Sequence, residues 1–212
     1  FASSCSVYGE GGTEAKNEED QTKPLTAYAR SKIECERSLS ELADSNFQIV
    51  CLRFATACGV SDRTRLDLVL NDFTWNIINS GKIYILSDGS PLRPIIDVKD
   101  MSRAIFWAST SPDLDNFEII NCGYNEANYS VFELALAVAE GKKELLSVNP
   151  NASPDKRSYK VDFSKFSKMS GFSKPLKSLQ TSVLEMKSQF ERLKTYATEN
   201  DFLRFKRLNS LN

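Results

Sequence analysis

The chain contains no histidine among its 212 residues. Catalytic triads that depend on histidine are therefore excluded, and the absence also argues against a zinc site. The cysteines number only five, and they are scattered without a CxxC pair. An odd, dispersed set suits a reducing cytoplasmic compartment better than a disulfide framework. We therefore expect a cytoplasmic protein without a bound metal.

Neither one sign of charge nor a long apolar run dominates the sequence. The net charge is −1, from 27 basic and 28 acidic residues, so no nucleic-acid-binding surface is indicated. The longest apolar runs are far shorter than the roughly 20 residues of a membrane-spanning helix, and no signal-peptide pattern opens the sequence. The hydrophobic content of 41% is ordinary for a globular soluble chain.

The most informative feature that is present is the segment YARSK at residues 28–32. We predict a helix over residues 26–45, which Thr26 can cap, so that Tyr28 and Lys32 share one face. An ammonium group beside the phenol favours the phenolate, which would let Tyr28 act as a general acid or base near neutral pH. The same pattern also fits a solvated lysine beside a packed tyrosine.

This predicted helix lies between two predicted strands. Residues 1–8 predict a strand that runs into a hydroxyl-rich turn, and residues 48–54 predict an apolar strand. Strand, helix and strand form a βαβ unit, so the fold class is α/β. Ligands of open α/β sheets bind at the carboxyl ends of the strands, where the serine-rich turn lies.

The rest of the chain predicts alternating short strands and helices. Asp100 is expected to cap a helix that ends near residue 109, and Ser130 with Glu133 forms a capping box. The glycine cluster at residues 9–12 is interpreted as a flexible turn. Phe73, Trp75 and Trp107 are interpreted as core residues. Further strands are predicted near 82–86, 93–98, 117–122, 144–149 and 157–161, and further helices near 67–79, 163–169 and 177–195.

Five motifs in a fixed order resemble the extended short-chain dehydrogenases/reductases of the NAD-dependent epimerase/dehydratase family. They are SSCSVYG at 3–9, YARSK at 28–32, LRFATACG at 52–59, DGSPLRPIIDVKD at 88–100, and the late segment 155–175. The resemblance implies the C-terminal part of a Rossmann-type doubly wound parallel sheet, in residues 1–60. It implies a small mixed α/β substrate-binding region in residues 61–212, with a basic C-terminal helix and tail.

The resemblance also implies the catalytic residues. Ser4, Tyr28 and Lys32 would act together on a sugar hydroxyl while NAD or NADP takes its hydride. Tyr28, Lys32 and the backbone of Ala55 would contact the nicotinamide end of this cofactor. For Ser4 an alternative remains open, because serine hydroxyls in such a turn commonly satisfy backbone groups.

The substrate implied by the resemblance is a nucleotide sugar, bound by Ser4, Thr56, Arg93 and Arg157. Two departures from the family pattern weaken a direct transfer of contacts. Thr56 stands where an asparagine is usual, and Arg93 is followed by Pro94 and Asp97 where the pattern has aspartate and histidine. Arg93 would grip the diphosphate, or else pair with Asp97.

Arg53 ends the second strand of the βαβ unit. For this residue we favour a structural ion pair over a contact with the substrate. Cys5 and Ser6 replace the Asp-Glu pair usual in 4,6-dehydratases, which favours an epimerase or a simple oxidoreductase over a dehydratase.

The glycine-rich GxxGxxG motif with which the family begins does not occur in the sequence. We therefore expect an N-terminally truncated chain that is inactive alone. The sequence does not indicate whether the cofactor is NAD or NADP, and the usual homodimer interface is expected to be incomplete. Two alternatives remain: a non-catalytic nucleotide-sugar-binding or interaction module derived from this fold, and an unrelated domain with a chance YxxxK.

Overall fold

A computed structural model describes residues 1–195 except positions 11, 13, 62, 63, 113, 150, 151 and 153–157. The helices are α1 (Ala27–Ser40), α2 (Val69–Ser80), α3 (Val98–Thr110), α4 (Val131–Val138), α5 (Ser164–Ser170) and α6 (Leu179–Lys194). The strands are β1 (Ala2–Ser4), β2 (Ala15–Lys16), β3 (Ile49–Phe54), β4 (Thr56–Cys58), β5 (Ile83–Ile85), β6 (Leu92–Asp97), β7 (Phe117–Cys122), β8 (Asn128–Ser130), β9 (Leu146–Val148) and β10 (Lys160–Val161).

The chain forms two compact units, and each unit is built from three stretches of sequence that alternate with those of the other. The first comprises Phe1–Ala57, Pro91–Tyr129 and Asp155–Leu176, and the second comprises Cys58–Ser90, Ser130–Pro154 and Lys177–Asn212. Parallel strands alternate with helices, so the predicted α/β class is confirmed. The assignment of separate functions to residues 1–60 and 61–212 stays a prediction.

The first unit is built on a parallel sheet in the order β1-β3-β7. Ser4 pairs with Phe54, and Phe54 pairs with Cys122, so the carboxyl ends of the three strands lie side by side. Helix α1 packs on β1 and β3, and α5 packs on β7. Every β3 residue except Val50 is buried, as expected for a central strand with both faces covered.

A second sheet of the first unit has the order β4-β6-β8, and its terminal residues Cys58 and Ser130 belong to the other unit. It brings the strand that begins with Thr56 next to the strand that carries Arg93. Asn121 fastens the short parallel pair of β2 and β10, because its amide Nδ2 donates to the carbonyls of Lys16 and Asp162. Polar side chains thus tie the loops of this unit to the ends of its strands.

The second unit packs helices α2, α4 and α6 with the parallel pair of β5 and β9. Phe73 and Trp75 are buried here as predicted, and the Trp75 ring meets Phe190 edge-on at 6.0 Å between centroids. Trp107, in the first unit, packs against that unit's core, also as predicted. The capping box of Ser130 and Glu133 is confirmed, since each side chain bonds the backbone N–H of the other.

Two predicted boundaries are wrong for identifiable reasons. The first strand ends at Ser4 rather than residue 8, because the Ser4 side chain caps a 3₁₀ turn at Cys5–Tyr8. Helix α3 is capped by Asp97, whose Oδ1 accepts the N–H of Lys99 at 2.8 Å, and Asp100 instead lies buried within the first turn. Two aspartates three residues apart fit the same local pattern, and what separates them is that Asp100 accepts hydrogen bonds from the distant Tyr124 hydroxyl and Leu176 N–H.

The interpretation of residues 9–12 as a flexible turn is also wrong at Gly9, which is buried and packs against the backbone of Lys23.

No disulfide joins the five cysteines, all of which lie in the described part of the chain. Among the described residues, no helix is both long enough and apolar enough to cross a membrane.

Candidate active site

Ser4 lies at the carboxyl end of β1. Its hydroxyl oxygen accepts the N–H of Ser6 at 3.2 Å, so Ser4 does satisfy a backbone group, as the alternative interpretation expected. A hydroxyl can donate while it accepts, so this cap leaves its proton available for a ligand. Ser6 differs, because its buried hydroxyl has no hydrogen-bond partner within the described residues.

Tyr28 and Lys32 lie one turn apart on the same face of α1. Thr26 caps this helix as predicted, with its hydroxyl accepting the N–H of Ala29 at 3.1 Å. The Lys32 ammonium lies 5.4 Å from the centre of the Tyr28 ring, and it donates to the carbonyl of Ala2 at 2.8 Å. The Tyr28 side chain is 54% exposed, so its phenol is open to a ligand. Lys32 is therefore held at Ala2, which precedes Ser4 by two residues along β1.

Ala55 and Thr56 follow the carboxyl end of β3. Because Ser4 and Phe54 are neighbours across the sheet, Ala55 lies one residue beyond the level of Ser4. The N–H of Ala55 donates to the Cys122 carbonyl at 3.0 Å, so a ligand contact through its backbone would use the carbonyl group. The half-buried Thr56 begins β4. The structure therefore brings Ser4, Ala55 and Thr56 together at the carboxyl ends of β1 and β3, while Lys32 contacts the first residue of β1.

Arg93 lies on β6, next to the strand of Thr56. Its guanidinium Nη1 donates to the carbonyl of Leu92 at 2.8 Å, and its side chain is half-buried. The Asp97 carboxylate, the alternative partner, accepts the N–H of Lys99 as the cap of α3. Arg157 lies outside the described residues.

Arg53 forms the ion pair that was favoured over a substrate contact. Its partner is Glu36 of α1, with Nη2 2.7 Å from Oε2 and Nε 3.0 Å from Oε1. The side chains of Arg53 and Glu36 are 5% and 4% exposed. The Arg53 guanidinium also donates to the Tyr8 hydroxyl at 3.0 Å, and that hydroxyl lies 2.7 Å from Oδ1 of Asn121. Ser3 completes the network, because its hydroxyl donates to Glu36 at 2.5 Å.

Burial and the hydrogen bonds of this network together shift the pKa values of Tyr8 and Arg53. Burial raises the pKa of the Tyr8 phenol well above its ordinary value, although the Arg53 charge acts in the opposite direction. Burial alone would lower the pKa of Arg53, but the hydrogen bonds to Glu36 reverse this and raise it. At neutral pH Arg53 is therefore charged and Tyr8 is a neutral phenol, so Tyr8 is unsuited to proton transfer.

Three residues of the site region were not predicted from the sequence: Glu36, Tyr8 and Asn121. A signal existed for Glu36, which lies four residues after Lys32 and therefore continues the stripe of Tyr28 and Lys32 along α1. Asn121 is a polar residue that follows two isoleucines near the end of β7, a position where a buried amide needs partners.

Comparison with known proteins gives consistent results. The family model described as NAD dependent epimerase/dehydratase family matches residues 1–123. The chain is 28% identical over 204 residues to an ADP-L-glycero-D-manno-heptose-6-epimerase of Brachyspira hyodysenteriae (strain ATCC 49526 / WA1), covering 91% of this chain and 63% of that protein. The chain therefore spans less than two thirds of this relative.

Solved structures share the fold. MoeE5 in complex with UDP-glucose and NAD superposes with a TM-score of 0.76 at 24% identity, covering 92% of this chain and 64% of MoeE5. The UDP-glucose 4-epimerase of Thermotoga maritima gives a TM-score of 0.74 at 24% identity, covering 92% and 63%. Since the family model spans more than half of the 212 residues, the chain belongs to the NAD-dependent epimerase/dehydratase family.

Proposed function

We propose that the protein containing this chain is an NAD(P)-dependent epimerase or oxidoreductase that acts on a nucleotide sugar through a 4-keto intermediate. The observation that carries the proposal is the arrangement of Lys32. Its ammonium lies beside the Tyr28 ring and bonds the backbone of β1 two residues before Ser4. In this proposal these three groups act on one proton at the edge of the sheet where ligands of open α/β folds bind.

The residues present fit the nicotinamide end of a bound NAD or NADP. An ammonium group has three N–H donors, and the bond to Ala2 uses one, so Lys32 can still donate to ribose hydroxyls. Tyr28 and the carbonyl of Ala55 would complete this contact. The cofactor, when bound, would supply an acceptor for the hydride that leaves the sugar carbon.

The chain's own residues would move the proton. In this proposal the Tyr28 phenolate removes the proton of the sugar hydroxyl, and Lys32 stabilises the phenolate by its positive charge. The Ser4 hydroxyl donates a hydrogen bond to the same sugar oxygen and so orients it toward Tyr28. Positioning of this kind contributes to rate because the reacting groups are already aligned when the substrate binds.

Substrate recognition is assigned to Thr56, Arg93 and Arg157. The guanidinium of Arg93 would hold the diphosphate by paired hydrogen bonds, with Arg157 as a second donor, and Thr56 would face the sugar. A nucleotide sugar is supported by the MoeE5 structure with UDP-glucose and by the heptose epimerase relative. The cysteine usage favours a cytoplasmic enzyme, and a homodimer is the assembly we propose for the whole protein.

The second candidate function is a non-catalytic module that binds a nucleotide sugar. The capping role of Ser4 favours it, because that hydroxyl already has a structural task. Calorimetric titration of the purified chain with NAD and with UDP-glucose measures binding, and an assay of the full-length gene product measures turnover, which separates the two candidates. Sugar binding by the chain, together with turnover by the full-length gene product, supports the enzyme; sugar binding without turnover supports the module.

Substitution of Tyr28 tests the catalytic role. In the full-length gene product, assayed with UDP-glucose and with an ADP-heptose, Tyr28→Phe should lower kcat by about 10²–10⁴-fold, the usual contribution of a general acid or base. Tyr84→Phe is the matched control, because Tyr84 is similarly exposed but lies in the second unit. Equal turnover by the wild type and Tyr28→Phe would remove Tyr28 from the mechanism.

A further inference from the structure

We propose that Glu36 and Arg53 are positioning residues, which keep the turn after Ser4 in register with the face of α1 that carries Tyr28 and Lys32. The catalytic meaning of this role rests on the proposed function, in which these groups act on one sugar hydroxyl. The positional claim is independent of that function, because it concerns only how α1, β1 and β3 are held together.

One face of α1 is fastened to β1 at two consecutive residues. Lys32 and Glu36 are four residues apart and therefore lie on the same stripe of the helix. Lys32 donates to the carbonyl of Ala2 at 2.8 Å, and the next residue, Ser3, donates from its hydroxyl to Glu36 at 2.5 Å. A rotation of α1 about its axis, or a shift along that axis, would break both contacts. Glu36 therefore provides a second point of attachment to β1, one helical turn after Lys32.

Arg53 holds the other side of Ser4. Its Nη1 donates to the Tyr8 hydroxyl at 3.0 Å, and its carbonyl oxygen accepts from the Cys5 thiol at 3.0 Å. Both partners belong to the 3₁₀ turn that Ser4 caps. Ser4 is thus bracketed: Ser3 before it bonds Glu36, and the turn after it bonds Arg53.

The pair itself suits this task better than it suits a gain in stability. A buried ion pair loses hydration, so its replacement by apolar residues often leaves stability unchanged or raises it. The pair instead fixes the relative orientation of the two side chains, because the planar guanidinium bonds both carboxylate oxygens in a fixed geometry. A positioning role therefore predicts that, in the folded protein, weakening the pair loosens Lys32 more than it loosens other lysines of the same unit.

The rate of acetylation of each lysine, measured by mass spectrometry on the folded chain, tests this prediction. Glu36→Gln should accelerate acetylation of Lys32 roughly tenfold, the change expected for loss of one hydrogen bond to a charged group. Lys165 is the internal reference, because its ammonium is bonded to Glu118 within the same unit. Glu34→Gln is the matched control, since Glu34 lies on α1 in an exposed pair with Arg37.

A second pair of variants covers the case in which Glu36→Gln does not fold. Ser3→Ala removes only the hydroxyl that bonds Glu36 and should accelerate Lys32 acetylation in the same direction, whereas Ser3→Thr restores a hydroxyl and should reverse the effect. A Lys32 rate that stays unchanged in the folded variants, or that rises together with the Lys165 rate, overturns the proposal. The assay contains neither cofactor nor sugar, so its result does not depend on the proposed enzymatic function. The positioning role can be refuted while the enzymatic function holds, and the enzymatic function can be refuted while the positioning role holds.

Discussion

Gly9 faces the backbone of Lys23 so closely that a β-carbon at position 9 would lie 1.8 Å from the Lys23 carbonyl oxygen. The two segments are joined by a hydrogen bond of 3.0 Å from the Lys23 N–H to the Val7 carbonyl. Gly9 also has a φ angle of +57°, in the region that L-residues with side chains rarely adopt. The turn that follows Ser4 is therefore pressed against the segment that leads into α1.

The first prediction is that Gly9→Ala lowers the free energy of unfolding by about 2–4 kcal/mol, because left-handed strain and a displaced backbone both contribute. Urea unfolding followed by circular dichroism measures the change. Gly12→Ala is the control, with a φ angle of +72° but no atom of the described residues within 4 Å of the added carbon. It should cost only about 1–2 kcal/mol of left-handed strain. Equal losses in the two variants would contradict the close contact with Lys23.

Features that depend on local sequence were predicted correctly. Strand β7 was predicted at its observed bounds, Phe117–Cys122, because a short and mostly apolar segment between polar turns leaves few alternatives. The caps at Thr26 and Ser130 followed from the preference of hydroxyl side chains for helix starts. The spacing of Tyr28 and Lys32 was enough to predict their shared face.

Features that depend on distant partners could not be predicted in the same way. The ion pair of Arg53 was expected, but Glu36 lies 17 residues away, and no local pattern identifies it as the partner. Gly9 looked like part of a flexible glycine cluster, since its contact with Lys23 exists only after the chain folds back. The contact of the Tyr8 hydroxyl with Asn121 joins residues 113 apart, which only the sheet brings together.

The second prediction concerns the coupling between Glu36 and Arg53. Either Glu36→Gln or Arg53→Met leaves a buried group without its partner and should cost about 3–5 kcal/mol of unfolding free energy. The double variant should cost clearly less than the sum, because no uncompensated charge remains. Urea unfolding of the four proteins gives the coupling energy as a double-mutant cycle. Additive losses would show that the two side chains do not depend on each other.

The third prediction concerns alkaline pH. Burial, with a further contribution from the Glu36 charge, raises the pKa of the Cys51 thiol from 9.0 to about 11. Between these values the unfolded chain loses the proton while the folded chain keeps it, so rising pH favours unfolding. The stabilisation linked to this thiol should be complete below pH 9 and lost progressively toward pH 11. Unfolding free energies measured at intervals across this range give the slope.

Substitution of cysteines tests whether Cys51 causes part of that slope. Cys51→Ala removes the titrating thiol, so the decline of stability above pH 9 should become shallower, whatever the loss of packing costs at neutral pH. Cys35→Ala is the control, because the Cys35 side chain is exposed on α1. An identical slope for wild type and Cys51→Ala would contradict the raised pKa.

The last prediction distinguishes two neighbouring serines. The buried Ser6 hydroxyl has no hydrogen-bond partner within the described residues, so its removal should not lose an interaction. Ser6→Ala should leave the unfolding free energy unchanged or raise it by about 1 kcal/mol, since a buried unsatisfied hydroxyl is costly. Ser4→Ala should instead lower it by about 1 kcal/mol, because the Ser4 side chain caps the 3₁₀ turn. Chemical denaturation of the two variants compares their unfolding free energies directly. A loss of unfolding free energy for Ser6→Ala as large as that for Ser4→Ala would mean that an ordered water or another group satisfies the Ser6 hydroxyl.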